Sequence, residues 1–198
     1  MLHRQAERAG VVRQILRGRV DRHCYALFLR NLLPAYQAME SGLDRLRPGR
    51  GAGSLAWREL YRAKAIEADL YHFGGPAWPS SLRVLPIGDQ YARRVAMASE
   101  GDGARLIAHA YTRFLGDLNG GQVLKPLVQE ALNLKDDGLA FYDFPNLADP
   151  RASGLRYRVA IDAAGAEIDD MAPVLEEAAV AFQFNIRLSE AVADVVAS

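Results

Sequence analysis

The stretch HAYTRFLGDLNGGQVL, residues 109–124, places Gly116, Gly120 and Gly121 inside an otherwise apolar helical pattern. Each glycine costs roughly 1 kcal/mol relative to alanine in a helix interior, a large total beside the about 5–15 kcal/mol of net stability of a typical domain. The run Asn119-Gly120-Gly121 is also a turn signal, and the pattern alone favours two helices joined by a turn. Because the apolar period continues on both sides of the glycines, a single bent helix stays open. Such a helix would bring bare backbone into contact with a bulky, flat object.

Helical periodicity also dominates the rest of the chain, and strict apolar–polar alternation is rare. Asp21 and Ser54 are typical N-cap residues, and Pro126 predicts a bend or a restart of the helix just after the glycines. We therefore expect an all-α, single-domain bundle over residues 1–198, with a kinked helix that carries the glycines. The predicted helices cover residues 3–17, 21–46, 55–73, 86–100, 103–134, 149–163 and 169–196.

Composition limits the classes of function. The 198 residues are 50% hydrophobic, and 24 basic side chains balance 24 acidic ones. This balance favours neither a nucleic acid nor an anionic membrane as partner, and the apolar runs are too short to span a bilayer. We expect a soluble, cytoplasmic protein. Cys24 is the only cysteine, which excludes an internal disulfide and an iron–sulfur cluster held by this chain alone. Any metal must then be held by histidine or carboxylate ligands.

The run from Ala108 to Leu124 closely resembles the distal-helix signature of the biliverdin-forming heme oxygenases. The similarity continues at HRQAE (3–7), Tyr36, GLAFYDFPN (138–146), Tyr157-Arg158 and AFQFN (181–185). The resemblance implies a heme-oxygenase-like helical bundle that opens protoheme (heme b) to biliverdin, CO and Fe²⁺. That reaction consumes O₂ and electrons from an external reductase or ferredoxin. The chain has no nicotinamide or flavin fingerprint of its own, so a redox partner protein must supply the electrons.

The resemblance also implies which residues hold the heme. His3 corresponds to the proximal iron ligand, and Glu7 to the acid that contacts its imidazole. Gly116 and Gly120 correspond to the distal positions that present bare backbone to the macrocycle. The further heme-binding residues are Arg158 as the leading propionate contact, Tyr111 as a hydroxyl donor, and Thr112 and Phe182 as parts of the pocket. The remaining histidines are fallback iron ligands, although the pattern favours a structural or surface role for each: His23, His72 and His109.

Asp117 is the most informative side chain of the distal group, because a charged carboxylate in an apolar segment is expensive unless water or hydrogen-bond donors satisfy it. In heme oxygenases the matching acid orders water molecules that deliver protons without contacting the iron. The resemblance assigns that role to Asp117, with Tyr36, Arg113 and Asn185 in the same network. Taken singly, Arg113 and Asn185 fit an ordinary surface or interhelical hydrogen bond better than a catalytic role.

Two further expectations concern the basic residues. Gly154 stands where the family commonly has a lysine, so the rotation of the heme, and with it the site of ring opening, stays open; Arg151 and Arg156 are candidates to compensate. An exposed basic ring around the heme edge is expected to dock an acidic electron donor. Its predicted members are Arg113, Lys125, Arg151 and Arg156.

Two alternatives differ from an oxygenase in class. One is a heme-binding carrier or sensor on the same fold, without turnover. The other is a relative of the same architecture that binds another ligand, because a fold does not fix a function. The presence of Asp117, Gly116 and Gly120 favours the enzyme over both.

Overall fold

The computed structural model describes residues 5–6, 8–135 and 137–197. Within these ranges the chain forms helices and turns without a strand, which confirms the all-α class. None of these helices combines the length and the apolar character that crossing a bilayer requires. The α-helices are α1 (Gly10–Leu16), α2 (Arg22–Leu46), α3 (Ala63–Gly74), α4 (Trp78–Ser81), α5 (Pro86–Ala98), α6 (Leu106–Ala110), α7 (Gly116–Ala131), α8 (Pro150–Gly165) and α9 (Ala172–Ala197).

Helix α2 is the centre of the bundle. It packs against α3, α5 and α9, and most of its residues between Cys24 and Leu43 are buried. Helix α9 also lies against α1 and α6, while α7 packs beside α8. Asp21 caps α2 as predicted, because its Oδ1 accepts a hydrogen bond from the amide of Cys24 at 2.8 Å.

The helix predicted over residues 55–73 begins later than expected. Residues Gly51–Leu55 and Arg58–Leu60 form short 3₁₀ turns, and α3 starts only at Ala63. Ser54 is not a helix cap, because its hydroxyl donates to the carbonyl of Gly51 within the first turn. The start of α3 is instead capped from α2. Glu40 Oε1 accepts hydrogen bonds from the amides of Arg62 at 2.5 Å and Ala63 at 2.9 Å.

The glycine-rich segment is one continuous helical element rather than two helices joined by a turn. Helix α6 passes through a π-helical turn at Tyr111–Leu115 directly into α7. We call this element, Leu106–Ala131, the distal helix. Its irregularity precedes the glycines, since Gly116 has ordinary helical angles of φ −60° and ψ −45°. Helix α7 also continues through Pro126, which excludes a restart, one of the two alternatives predicted there.

The carboxyl group of Glu40, which caps α3, makes the free energy of unfolding depend on pH. Burial raises the pKa of Glu40 from 4.5 to about 7. The two amide hydrogen bonds favour the charged form and oppose this rise, but burial has the larger effect. Between pH 4.5 and 7 the folded chain therefore keeps a proton that the unfolded chain releases, and the folded state loses stability as the pH rises. The full loss is roughly 3 kcal/mol.

We expect Glu40→Gln, which keeps an oxygen acceptor without the charge, to remove most of this loss. Urea unfolding at pH 4.5, 6 and 7.5 measures it: the advantage of the variant over the wild type should grow with pH. Glu176→Gln, the same change at an exposed glutamate on α9, is the control. A stability difference that does not change with pH would contradict this interpretation.

Candidate functional site

A cavity of about 340 Å³ opens beside the distal helix. This volume lies within the range of about 300–1,000 Å³ that is common for small-molecule sites. Six of the predicted heme-binding residues line it: Tyr111, Thr112, Gly116, Gly120, Arg158 and Phe182. The other lining residues, from the distal helix and from three other parts of the fold, are Ala6, Val12, Phe28, Arg113, Leu115, Asn119 and Asn185.

Bare backbone forms the part of the cavity wall next to Gly116 and Gly120. A Cβ atom built on either residue meets no other atom within 4 Å, so each would project into open space. Gly121 differs, because a Cβ there would approach the ring of Tyr142 to 3.2 Å. Two of the three glycines therefore leave room for a ligand, whereas the third permits close packing inside the protein.

The π-helical turn was not predicted from the sequence. Thr112, within it, donates its hydroxyl to the carbonyl of Ala108 at 2.8 Å, a bond that competes with regular helix hydrogen bonding. Single π-helical turns inside α-helices are frequent at functional sites. Here the turn leads directly into the two glycines that line the cavity.

The four residues predicted as the catalytic network lie together. The hydroxyl of Tyr36 donates to Asp117 Oδ2 at 2.5 Å and accepts hydrogen bonds from Arg113 Nε at 2.8 Å and Nη2 at 2.6 Å. Arg113 Nη1 donates to Asn185 Oδ1. The direct ion pair between Arg113 and Asp117 is longer, at 3.4 Å. Helices α2 and α9 thus meet the distal helix through one polar cluster.

Burial controls the electrostatics of this cluster. It raises the pKa of Asp117, and this rise is opposed by the charge of Arg113 and by the hydrogen bond from Tyr36. Burial likewise raises the pKa of Tyr36 well above its usual value, so its hydroxyl stays protonated and remains a donor. Asp117 is 6% exposed and does not belong to the cavity lining, whereas Arg113 and Asn185 do. Any effect of Asp117 on a ligand is therefore indirect.

The structure corrects the expected basic ring. The side chain of Arg113 is only 14% exposed and belongs to the buried cluster, so it is not a surface docking residue. Lys125 is engaged in an ion pair with Asp143. Arg151 and Arg156 on α8 are exposed, as is Arg158 at the cavity.

A second buried polar group was missed. His109 Nε2 lies 2.8 Å from Glu177 Oε1, and Arg94 pairs with the other oxygen of the same carboxylate. Burial would raise the pKa of Glu177, but these two partners outweigh it and lower the pKa to about 2. The only signal in the sequence is one acid inside the apolar pattern of α9. This group joins α5 and α9 to α6, the first part of the distal helix.

The structure does not describe the residues that are predicted to hold the iron. His3 and Glu7, the predicted iron ligand and its partner, lie outside the described ranges. Of the other histidines, His109 is held by Glu177, His23 is exposed, and His72 packs edge-on against Phe73. Within the ranges that the structure describes, no histidine lines the cavity.

The lining fits a flat, mainly apolar molecule with carboxylate groups. Phe28, Phe182, Val12 and Leu115 provide apolar contact, and the glycine backbone permits close approach. Arg158 supplies an exposed guanidinium group at the cavity, which is the preferred partner of a carboxylate. This is the donor set that a porphyrin with propionate groups requires.

Comparison with known proteins identifies the class. The family model described as heme oxygenase matches residues 1–191. Heme oxygenase 1 of Nostoc sp. is 33% identical over 187 residues, covering 94% of this chain and 79% of the relative. Human heme oxygenase 1 is 36% identical over 192 residues, covering 96% of this chain and 67% of the relative.

Solved structures show the same similarity. The crystal structure of heme oxygenase-1 from the cyanobacterium Synechocystis, in complex with heme, superimposes with a TM-score of 0.90 at 32% identity. It is matched over 99% of this chain and 90% of its own. Heme oxygenase from Leptospira interrogans gives a TM-score of 0.89, also at 32% identity, over 96% of this chain and 93% of its own. The chain belongs to the heme oxygenase family.

The glycines of the cavity wall yield a test. Because a Cβ at Gly116 or Gly120 meets nothing in the protein, alanine should stabilise the ligand-free chain by up to about 1 kcal/mol through helix propensity. The same methyl group occupies cavity space, so the affinity for hemin should fall. Chemical unfolding without ligand and a hemin titration followed at the Soret band measure the two effects.

Gly121→Ala is the matched contrast for this test, since its methyl group meets Tyr142 instead of the cavity. It should destabilise the protein relative to the other two alanine variants. If Gly116→Ala and Gly120→Ala bound hemin as tightly as the wild type, the bare backbone would not be the heme-facing wall.

Proposed function

We propose that the protein is a heme oxygenase that converts protoheme, O₂ and electrons from an external donor into biliverdin, CO and Fe²⁺. The observation that carries this proposal is the pairing of a side-chain-free cavity wall at Gly116 and Gly120 with a buried acid, Asp117, in a polar cluster beside it. When bound, protoheme supplies both the iron that reacts with O₂ and the ring that is opened. A complex with heme has been solved for the similar Synechocystis protein.

In this function the residues of the cavity bind and orient the heme. Phe28 and Phe182 would contact the macrocycle, and the bare backbone at the two glycines would permit its close approach. Arg158 pairs with a propionate group, with the hydroxyl of Tyr111 as a further donor. The proximal iron ligand is His3, with Glu7 as its partner, as the family resemblance implies.

Asp117 influences the delivery of protons to the ligand without contacting the ligand. Its carboxylate accepts from Tyr36, and Arg113 and Asn185 extend the same hydrogen-bond network to the cavity. Polar groups arranged in this way hold water molecules in a fixed orientation, and such water carries protons toward the ligand. Because Asp117 does not line the cavity, the site offers an ordered proton supply without a strong acid or base at the iron.

Gly154 on α8 lies beside the distal helix. A Cβ at this position would meet Asn119 and Leu118 at 3.7–3.8 Å, an ordinary contact distance. Packing against the distal helix therefore does not require a glycine at the position where the family commonly carries a lysine. The propionate contacts in this chain consequently rest on Arg158, with Arg151 and Arg156 as exposed arginines on the same helix.

Asp117→Ala should abolish ring opening while heme binding persists. We expect the rate of biliverdin formation to fall about 100-fold or more, the usual contribution of a positioned proton-transfer group. Purified protein is incubated with hemin and ascorbate, and absorbance spectra follow the loss of the Soret band and the growth of the bilin band. The control is Asp162→Ala, which changes an exposed acid on α8.

The same assay separates the alternatives. Loss of the Soret band with bilin formation in the wild type supports the enzyme, and full biliverdin formation by Asp117→Ala would refute the role of that residue. A stable Soret band in the wild type would identify a carrier or sensor. No Soret band at all would indicate another ligand.

We further propose that an acidic redox protein, a reductase or a ferredoxin, docks on the exposed face of α8. Arg151, Arg156 and Arg158 provide positive charge there, and Leu155 and Val159 are 66% and 67% exposed on the same helix. A mixed apolar and basic surface beside the cavity suits a transient electron-transfer complex.

If the redox protein docks through these arginines, turnover should depend on the salt concentration and on the charge of α8. Turnover with ferredoxin and its reductase should slow as NaCl rises from 50 to 500 mM, whereas turnover with ascorbate should change little. Arg156→Glu should raise the KM for ferredoxin several-fold. Arg93→Glu, at an exposed arginine on α5, is the control. Equal effects of the two variants would rule out α8 as the docking face.

A further inference from the structure

Helix α1 forms one wall of the cavity that we assign to heme. Ala6 and Val12, one on each side of the point where this helix begins, both line the cavity. With seven residues, Gly10–Leu16, α1 is too short to be stable by itself. It packs against α9 and against the α7 part of the distal helix. The position of this wall is therefore set by the contacts that α1 makes with its neighbours.

Gly10 lets the backbone of α1 touch the backbone of α9. Its φ of +45° lies in the left-handed region, which favours glycine. A Cβ atom built on Gly10 would overlap the carbonyl group of Ser189 and the amide nitrogen of Glu190. These are backbone atoms, which cannot rotate out of the way. Any side chain at this position would therefore push α1 away from α9.

The hydroxyl of Ser189, on α9, caps the start of α1. The first amides of a helix have no partner within it, and the N-cap residue of α1, Ala9, has no side chain that could supply one. Ser189 Oγ accepts a hydrogen bond from the amide of Val12 at 3.2 Å and donates one to the carbonyl of Ala9 at 3.1 Å. Ser189 is 1% exposed, so both bonds lie in the interface of the two helices.

The face of α9 that holds α1 is also the face that lines the cavity. Phe182 and Asn185 both belong to the lining, and Ser189 follows them by seven and four residues. Residues at these spacings lie on one side of a helix. A shift of α1 along or away from α9 would therefore change the distance between two walls of the same cavity. We call Gly10 and Ser189 together the α1–α9 joint.

We propose that the two residues of the α1–α9 joint are positioning residues for heme, which slow its release by holding α1 against the cavity. This inference rests on the proposed function. Neither Gly10 nor Ser189 lines the cavity, so both act through α1. The proposed iron ligand His3 and its partner Glu7 precede the joint in the sequence. The joint therefore also fixes the point from which the chain runs toward those two residues.

The first measurement uses the ligand-free protein and the variant Ser189→Ala, which removes the cap and keeps the backbone contact. Hydrogen exchange of assigned backbone amides is followed by NMR. The amide of Val12 should exchange about tenfold faster in the variant, because it loses its hydrogen-bond acceptor. The amide of Cys24 is the control in the same spectrum, since Asp21 caps it within α2. Unchanged exchange at Val12 would show that the hydroxyl does not hold α1, and would overturn the proposal.

The second measurement is the rate of hemin release. Hemin-loaded protein is mixed with excess apomyoglobin, and the transfer of hemin is followed at the Soret band. Ser189→Ala should release hemin about tenfold faster than the wild type, the effect expected from the loss of two hydrogen bonds.

Ser99→Ala is the matched control for hemin release. Ser99 is 3% exposed, and its hydroxyl also accepts one hydrogen bond, from Arg45 at 3.0 Å, and donates one, to the carbonyl of Ala96 at 2.6 Å. It does not line the cavity. This variant should lower the thermal unfolding midpoint and leave the rate of hemin release unchanged. If Ser189→Ala behaved in the same way, its role would be purely structural and the proposal would be wrong.

A pair of glycine variants tests the backbone contact independently. Gly10 and Gly18, before and after the body of α1, both have positive φ, +45° and +63°, so alanine is strained at either position. A Cβ at Gly18 meets nothing within 4 Å, whereas one at Gly10 overlaps α9. Gly10→Ala should therefore release hemin several-fold faster than Gly18→Ala. Equal rates would contradict a role for the close approach of α1 to α9.

The outcomes separate the joint from the proposed function. Ser189→Ala removes only a hydroxyl, so it decides the question if Gly10→Ala does not fold. A wild type that holds hemin but does not open it would contradict the oxygenase and leave the joint intact. Hemin release at the wild-type rate from Ser189→Ala would overturn the joint and leave the oxygenase intact. A wild type that takes up no hemin would contradict both.

Discussion

The hydrogen bond between Tyr36 and Asp117 is the constraint on which the arrangement of the site depends. Both groups are buried, and an acid removed from water must find donors inside the protein. Tyr36, on the central helix α2, provides one donor, and Arg113 adds its charge while bonding both Tyr36 and Asn185 on α9. Three elements are thus held together by one polar cluster. Moving any of them would leave a buried group unsatisfied.

This cluster gives the distal helix two different faces. Arg113 and Asp117 are four residues apart and therefore point to the same side, toward Tyr36. Gly116 and Gly120 are also four residues apart and line the cavity, and Gly116 lies about 100° of helical rotation from Asp117, the residue that follows it. One helix can therefore hold an acid and present bare backbone to a ligand, while the acid stays away from that ligand.

Much of the fold follows from local sequence, whereas the site depends on distant pairs. The cap at Asp21 and the helical class could be predicted, because each depends on neighbouring residues. The late start of α3 could not, since Glu40 caps it from another helix. The π-helical turn at Tyr111–Leu115 has no breaker residue to signal it. The contacts of Tyr36 with Asp117 join positions far apart in the chain, and only the family resemblance indicated them.

The positions of the arginines show why a sequence alone does not reveal the role of each charged residue. By composition alone, Arg113 is as suitable for a docking surface as Arg156. The structure buries Arg113 beside an acid and leaves Arg156 exposed on α8. The charge of a buried guanidinium group is little screened by water and salt, so it acts strongly on a nearby carboxylate. An exposed one is screened by salt and acts mainly on approaching charged molecules. The same residue type therefore serves either to fix the state of an acid or to attract a partner, and burial decides between them.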